Sequence, residues 1–390
     1  MGFNPLVKDK NSHIVGDPTG PTHAAVFFDH DSDGDQDLWV ASDGDQLHVY
    51  RNDSSKEKIL FNHVSKELNL NIIGNWMGFA VSDFNNDLIE DVFITNAGPH
   101  QRIERSGINS PTIKPGGDCK YHELHELGSC LHLFLINQKN NNSFENKTEK
   151  IHVIPSPYLP AEATIKNIKK ESKIPKGLGA YDFGYGVTAF DFNNDTIKDL
   201  YWLGSEVGRG EGPGGNIYPS AGRMLMGLPD LKYEDITVRA QLLDIQGINY
   251  NKYFSNLKPN EIPNEKYNLK YKVHTKYHEN GKGLAHGDLN GDGYVDLIGT
   301  NSSGPVWSGT LDDAPGPFFV WINGGGNNNW INIKLTGRQG IDKTGSNSDG
   351  VGAKVFIESK DTNNNKSIQM QEVRAGSSYL SMNSINLEFG

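Results

Sequence analysis

Asp288-Leu289-Asn290-Gly291-Asp292-Gly293-Tyr294-Val295-Asp296-Leu297-Ile298-Gly299 sets oxygen-bearing side chains at alternate positions of a tight loop and follows them at once with an apolar run. The nine-residue window that opens it occurs three more times, always with Asp at positions one, five and nine. The other copies read Asp29-His30-Asp31-Ser32-Asp33-Gly34-Asp35-Gln36-Asp37, Asp83-Phe84-Asn85-Asn86-Asp87-Leu88-Ile89-Glu90-Asp91 and Asp191-Phe192-Asn193-Asn194-Asp195-Thr196-Ile197-Lys198-Asp199. Their first Asp residues lie 54, 108 and 97 positions apart. Gly78, Gly186 and Gly283 each stand five residues before the first Asp, with Ala24 in the equivalent place of the first copy. Similarity at so many matched offsets marks a repeat architecture.

Outward from the loops the pattern is strand, loop, strand. Val26-Phe27-Phe28 and Val187-Thr188-Ala189-Phe190 precede loops, while Leu38-Trp39-Val40, Val92-Phe93-Ile94 and Leu200-Tyr201-Trp202-Leu203 follow them. Each unit is then trailed by an apolar run ending in Asn or Gly, with an aromatic residue several positions on. These are Val49-Tyr50-Arg51-Asn52 with Phe61, Phe134-Leu135-Ile136-Asn137 with Phe144, Met224-Leu225-Met226-Gly227 with Tyr233, and Val320-Trp321-Ile322-Asn323 with Trp330. Four short strands per repeat is the content of one propeller blade, so the expected fold is an all-β β-propeller. The longer gaps leave room for degenerate blades around 149–180 and 238–280, and the spacing leaves the number of blades open.

The loop chemistry points to calcium. Ca²⁺ takes six to eight oxygen ligands, and a tight loop with carboxylates or amides at alternate positions turns those oxygens toward one centre. Positions one, three and five supply side chains, position seven a backbone carbonyl and position nine a last carboxylate. The expected ligand region is Asp29, Asp31, Asp33, Asp35 and Asp37 in the first loop, and Asp83, Asn85, Asp87, Leu88, Ile89 and Asp91 in the second. In the third it is Asp191, Asn193, Asp195, Ile197 and Asp199, and in the fourth Asp288, Asn290, Asp292, Tyr294 and Asp296. An EF-hand would need Glu at position twelve, where Val40, Ile94, Trp202 and Gly299 stand. A single copy would read equally well as a solvated Asx turn; four matched copies favour up to four Ca²⁺ ions. Carboxylates converging without a cation repel, so folding is expected to depend on the ion.

The chain has 390 residues and a net charge of −11, which four divalent ions would bring to −3, so the acidity is largely a property of the loops. Such a balance disfavours nucleic acid as a partner. No apolar run reaches the roughly 18 residues of a membrane helix, and Met1-Gly2-Phe3-Asn4-Pro5 lacks the regions of a signal peptide. Cys119 and Cys130 share one Gly- and His-rich stretch. Three readings remain for them: a disulfide, a zinc site with His122 and His125, or free thiols. His122-Glu123-Leu124-His125-Glu126 is not a zinc-protease motif, and neither a Gly-x-Ser-x-Gly elbow nor a Walker sequence is present. The connections after the second strand of three repeats, roughly 97–129, 204–222 and 301–317, are long and should emerge on one rim. A binding site is expected there. A polar cluster of His100, Arg102, Arg105, His122 and His125 would be the alternative seat of an active site.

These loops resemble FG-GAP/VCBS-type repeats, the calcium-loop blades also seen in integrin α-subunit propellers, over about 20–325. The tail resembles the ASPIC/UnbV domain through Asn329-Trp330, Leu335-Thr336-Gly337, Ser346-Asn347, Gly350-Val351-Gly352-Ala353-Lys354-Val355, Glu372-Val373-Arg374-Ala375-Gly376 and Tyr379-Leu380-Ser381. Ser378 stands where that family usually has Gly, and Met382 where Gln is usual. The resemblance implies a propeller over 1–325 and an ASPIC/UnbV-like domain over 326–390 that is incomplete at its C-terminus, as in a fragment of a UnbV-like or cartilage acidic protein. It also implies a secreted, extracellular or cell-envelope location. The expected function is calcium-dependent, non-catalytic binding of a protein or glycan on the loop-bearing rim, with adhesion as the role. A secreted polysaccharide lyase or hydrolase on the same scaffold is the alternative.

Overall fold

The computed structural model describes residues 22–96, 132–139, 143–157, 176–181, 184–204, 206–208, 217–219, 222–242, 281–301, 318–360 and 364–390. Apart from a 3-10 turn at Gly177–Ala180 and one helical turn, α1 (Arg338–Ile341), the regular elements among them are strands. Four antiparallel blades follow the repeat. The first is β1 (Thr22–Phe28), β2 (Asp37–Gln46), β3 (His48–Asn52) and β4 (Phe61–His63); the second is β5 (Ile73–Ser82), β6 (Asp91–Asn96), β7 (Leu133–Gln138) and β8 (Ser143–Asn146). After β9 (His152–Ile154), the third is built from β10 (Val187–Phe190), β11 (Asp199–Trp202), β14 (Arg223–Leu228) and β15 (Lys232–Asp235), with a separate hairpin of β12 (Glu206–Gly208) and β13 (Ile217–Pro219). The fourth is β16 (Gly281–Gly287), β17 (Asp296–Asn301) and β18 (Phe318–Trp321).

One register recurs. The residue before position one pairs with position nine in every blade: Phe28 with Asp37, Ser82 with Asp91, Phe190 with Asp199 and Gly287 with Asp296. Each acidic loop therefore closes the hairpin of a blade's two inner strands. The second strand of a blade is covered on both faces by its neighbours, so β6 is buried at all six positions and reads as a continuous apolar run rather than an alternation. Three apolar cores lie between successive blades. Trp39 and Trp76 belong to the first, Phe93 and Trp202, whose rings lie 5.6 Å apart, to the second, and Tyr201 and Leu297 to the third. The repeated glycines mark where inner strands come closest. A Cβ on Gly78 would lie 2.5 Å from the carbonyl oxygen of Tyr185, and one on Gly186 would lie 2.5 Å from that of Lys282, each on the next blade.

Two sequence expectations change here. The 149–180 stretch does not form a blade in its described part: β9 adds in parallel to the outer edge of the third blade, beside β15. A strand that short has too little apolar surface for a face of its own. The region 243–280 lies outside the described residues. Trp330 was expected on a fourth strand of the last blade. Instead the strand that follows it, β19 (Ile331–Ile333), pairs with β22 (Leu387–Phe389) at the chain's end, and the Trp330 indole covers Gly293 of the fourth loop.

β19 and β22, with the hairpin of β20 (Lys354–Lys360) and β21 (Lys366–Glu372), enclose a separate core around Val373, Leu387 and Phe389. This C-terminal unit sits on the loop-bearing face and sends one segment down the propeller axis. Ser378 exchanges backbone hydrogen bonds with Phe79 of β5, at 2.7 and 3.2 Å. Its hydroxyl accepts from the Val187 amide of β10 at 3.0 Å. Ser384 donates its amide to the His286 carbonyl of β16 at 2.9 Å, and the Tyr379 hydroxyl lies 3.3 Å from Nδ1 of His23 on β1. Inner strands of all four blades are thus gripped by one tail segment. Ser378 has φ +62°, the left-handed region where glycine is at no disadvantage.

Candidate metal centres

All four loops fold by the same local hydrogen bonds. The first Asp accepts the amide of position five on one oxygen, at 3.1, 3.0, 3.0 and 3.2 Å, and the amide of position six on the other, at 3.3, 2.8, 2.7 and 2.9 Å. Position three accepts the same position-five amide, and the position-five carboxylate accepts the amide of position seven (Asp35, Ile89, Ile197 and Tyr294) at 2.9 to 3.0 Å. Positions four and six are left-handed in every copy: Ser32, Asn86, Asn194 and Gly291, then Gly34, Leu88, Thr196 and Gly293. Asn and Gly tolerate that conformation best, which explains their frequency at these two positions. Leu88 enters as a turn residue whose amide steadies Asp83.

Two left-handed reversals turn each loop back on its first Asp, so that positions one and three both receive the amide of position five. In the first loop the nearest carboxylate oxygens of Asp29, Asp31 and Asp37 all lie within 4.8 Å of one another. In the other three the amide of position three touches the carboxylate of position five: Asn85 with Asp87 at 2.9 Å, Asn193 with Asp195 at 2.9 Å, and Asn290 with Asp292 at 2.8 Å. Such a set of hard oxygen donors fits Ca²⁺ and lacks the nitrogen or sulfur ligands that zinc prefers.

Position nine does more than line a site. Asp37, Asp91, Asp199 and Asp296 are buried, and one oxygen of each accepts the amide of position two, at 2.8 to 3.1 Å. The other accepts the amide of a residue at or near the end of the third strand: Asn52 at 2.8 Å, Asn137 at 2.8 Å, Gly227 at 2.7 Å and Asn323 at 2.7 Å. That is the physical content of the repeated Asn-or-Gly position. Where it is Asn, the side chain can also reach the previous blade. The Asn137 amide donates to the His30 carbonyl at 2.8 Å, and that of Asn323 to the Phe192 carbonyl at 2.8 Å.

Six of the loop carboxyls are raised above their usual range. Burial pushes Asp83 up to about 6, and burial with the neighbouring Asp33, Asp37, Asp31 and Asp29 pushes Asp35 up to about 6. Burial raises Asp91 and Asp199 well above the carboxylate range, and raises Asp191 as well. Asp31 is lifted by burial and then by Asp37 and Asp33. A cation among them would supply the charge whose lack these shifts express.

Each loop also meets the C-terminal unit, through residues whose role the sequence does not announce. Lys354 donates to Asp29 at 3.0 Å, and Gln36 of the same loop donates to Glu372 at 2.7 Å. Arg374 pairs with buried Glu90 beside the second loop and donates to the Val81 carbonyl at 2.9 Å; burial lowers its guanidinium to about 9. Gly390 abuts Asn194 of the third loop so closely that a Cβ there would fall 2.2 Å from the Asn194 Cα. Glu388 accepts the Asp288 amide of the fourth loop at 2.9 Å, and burial, followed by Asp288 and Asp296, pushes it up to about 7. A polar cavity of about 80 Å³ lies between loops and unit. The one available signal was the alternation of charge in Glu372-Val373-Arg374, which sends two charged side chains to one face of an extended segment.

Cys119, Cys130 and the cluster of His100, Arg102, Arg105, His122 and His125 lie outside the described residues. So does most of the three long connections. Their roots do share one rim: the second strands end beside Thr22, Trp76, Val187 and Gly281, at the end of the blades away from the loops. No described helix is long and apolar enough to cross a membrane.

Residues 29–94, which span the first two loops, match the model of an FG-GAP-like repeat, and residues 343–390 match that of the ASPIC and UnbV domain. No curated protein matches the chain.

Proposed function

Because the chain carries an FG-GAP-like repeat and an ASPIC and UnbV domain on one propeller scaffold, we propose that it is a calcium-binding interaction protein of the cell exterior or envelope, which presents its long rim connections to a protein or glycan. The observation that carries this reading is the fourfold identity of the loops: the same hydrogen bonds turn oxygen-bearing side chains back on the first Asp in each copy, at the cost of five left-handed residues other than glycine and four buried carboxylates. Backbone strain of that kind persists where the surroundings over-determine it. Calcium at millimolar levels outside cells would saturate even weak sites of roughly 10⁻⁴–10⁻³ M. Ions would stiffen the blades from one face, leaving the opposite rim free to vary.

Calcium binding is tested by elemental analysis and titration calorimetry, with an expected stoichiometry of up to four ions and a higher melting temperature than in chelator. Calcium-free protein with unchanged melting would overturn the reading. The partner is sought by screening glycan and protein arrays with calcium present, beside an assay for polysaccharide degradation. Saturable binding without turnover supports the proposal, whereas turnover would replace it with an enzyme on the same scaffold.

A further inference from the structure

We propose that Glu372 and Glu388, delivered by the C-terminal unit, complete the cation sites of the first and fourth loops, so that a bound cation also holds that unit on the propeller. This rests on the reading of the loops as cation sites. Both glutamates meet the first residue of an acidic loop, Glu372 from a buried position and Glu388 from a half-buried one. Glu372 is 4% exposed; it accepts from Gln36, at position eight of the first loop, and the Asp29 amide faces the same carboxylate. Glu388 accepts the amide of Asp288, the first residue of the fourth loop, at 2.9 Å. Each keeps its Oε2 buried with no hydrogen-bond partner among the described residues.

A buried carboxylate oxygen without a partner is costly, and one set against a carboxylate-rich loop is doubly so. The second loop solves the problem with Arg374, and the first in part with Lys354. At the fourth loop no cationic side chain among the described residues comes within ion-pair contact of Glu388 or Asp288, and Lys198, across the same cavity, acts on Glu388 only from a longer distance. A divalent cation held by Asp288, Asn290 and Asp292 would offset both the repulsion and the orphaned oxygen. Coupling is then reciprocal: seating the unit tightens the cation, and the cation tightens the seat.

Glutamine separates this from a purely structural role, because it still accepts the loop amide and removes only the charge. Calcium binding by the full chain is measured calorimetrically for the wild type, Glu372→Gln, Glu388→Gln, Glu388→Asp and the exposed control Glu358→Gln. Hydrogen exchange of β21 and β22 is followed with and without calcium. Outer-shell partners of metal ligands are worth about 10–100-fold in affinity. Glu388→Gln is therefore expected to weaken one site by at least about tenfold, Glu372→Gln less because Lys354 remains, with Glu388→Asp intermediate and Glu358→Gln unchanged. Calcium removal should speed exchange in β22 of the wild type. Wild-type affinity in both glutamine variants, or β22 exchange indifferent to calcium, overturns the inference while leaving the loops as calcium sites. A wild type that binds no calcium overturns the earlier reading instead.

Discussion

Replacing Asp199 by Asn separates what position nine does for the fold from what it does for an ion. Its two oxygens accept the Phe192 amide at 2.8 Å and the Gly227 amide at 2.7 Å, and the residue is fully buried. Asparagine offers one acceptor oxygen and turns an NH₂ group toward the second amide. One charge-assisted hydrogen bond is lost, worth about 1.5–3 kcal/mol, and a buried donor is left unpaired at about 1–3 kcal/mol. Where the carboxylate is charged, a loss of about 2.5–6 kcal/mol follows, with or without calcium. Asp195→Asn is the control. Asp195 receives the Ile197 amide at 2.9 Å on one oxygen, which asparagine retains, and the Asn193 side-chain amide at 2.9 Å on the other, a partly exposed bond that is lost, so in chelator the cost should be about 1 kcal/mol. In calcium it should grow, because a ligand charge is gone. Urea unfolding followed by tryptophan fluorescence, in chelator and in calcium, reads both. If Asp199→Asn unfolds with the wild type in chelator, or if Asp195→Asn is equally destabilised there, position nine is only a ligand and the staple argument fails.

Asn137→Ala removes the bonds to the His30 and Glu90 carbonyls at 2.8 and 3.3 Å, and is expected to cost about 1–3 kcal/mol in a thermal melt irrespective of calcium. Gly186→Ala would set a Cβ 2.5 Å from the Lys282 carbonyl and 2.8 Å from the Leu284 amide, a clash with backbone that should cost about 3 kcal/mol or prevent soluble expression; normal melting would show that the inner strands are less closely set. Ser378→Gly relieves a left-handed φ but loses the acceptor for Val187, so its melting temperature should hardly move. The raised carboxyls give a signed pH dependence. In chelator the fold holds protons on Asp83, Asp35 and Glu388 that the unfolded chain has released, so the stability these groups contribute is fully present below about pH 4 and is lost as pH rises toward about 7. Calcium binds the deprotonated forms, so its stabilising effect should grow across the same window. Melting curves at several pH values with and without calcium check both slopes.

The loops and the strands beside them were legible because they are local. The hydrogen bonds that turn a loop back on itself join residues no more than seven apart, so Asp, Asn and Gly at fixed offsets carry the turn. The apolar runs after position nine told the rest of the hairpin, since a strand covered on both faces needs apolar residues on both. The last strand of the fourth blade was misread. An aromatic residue at a suitable distance says nothing of which sheet its neighbours join, and β19 found its partner in β22, more than fifty residues on.

The sequence by itself determined the repeat, the strand–loop–strand order and the oxygen-rich chemistry of the four loops. Only the tertiary structure decided that Asn137 and Asn323 tie neighbouring blades, that Ser378 enters the axis, and that Glu372, Arg374 and Glu388 reach acidic loops far from them in sequence. The physical reason is range. A loop's turn is settled by a few adjacent torsions and oxygens, whereas a contact between distant segments depends on the path of the whole chain. One charged residue on one strand carries no sign of which distant residue it will meet.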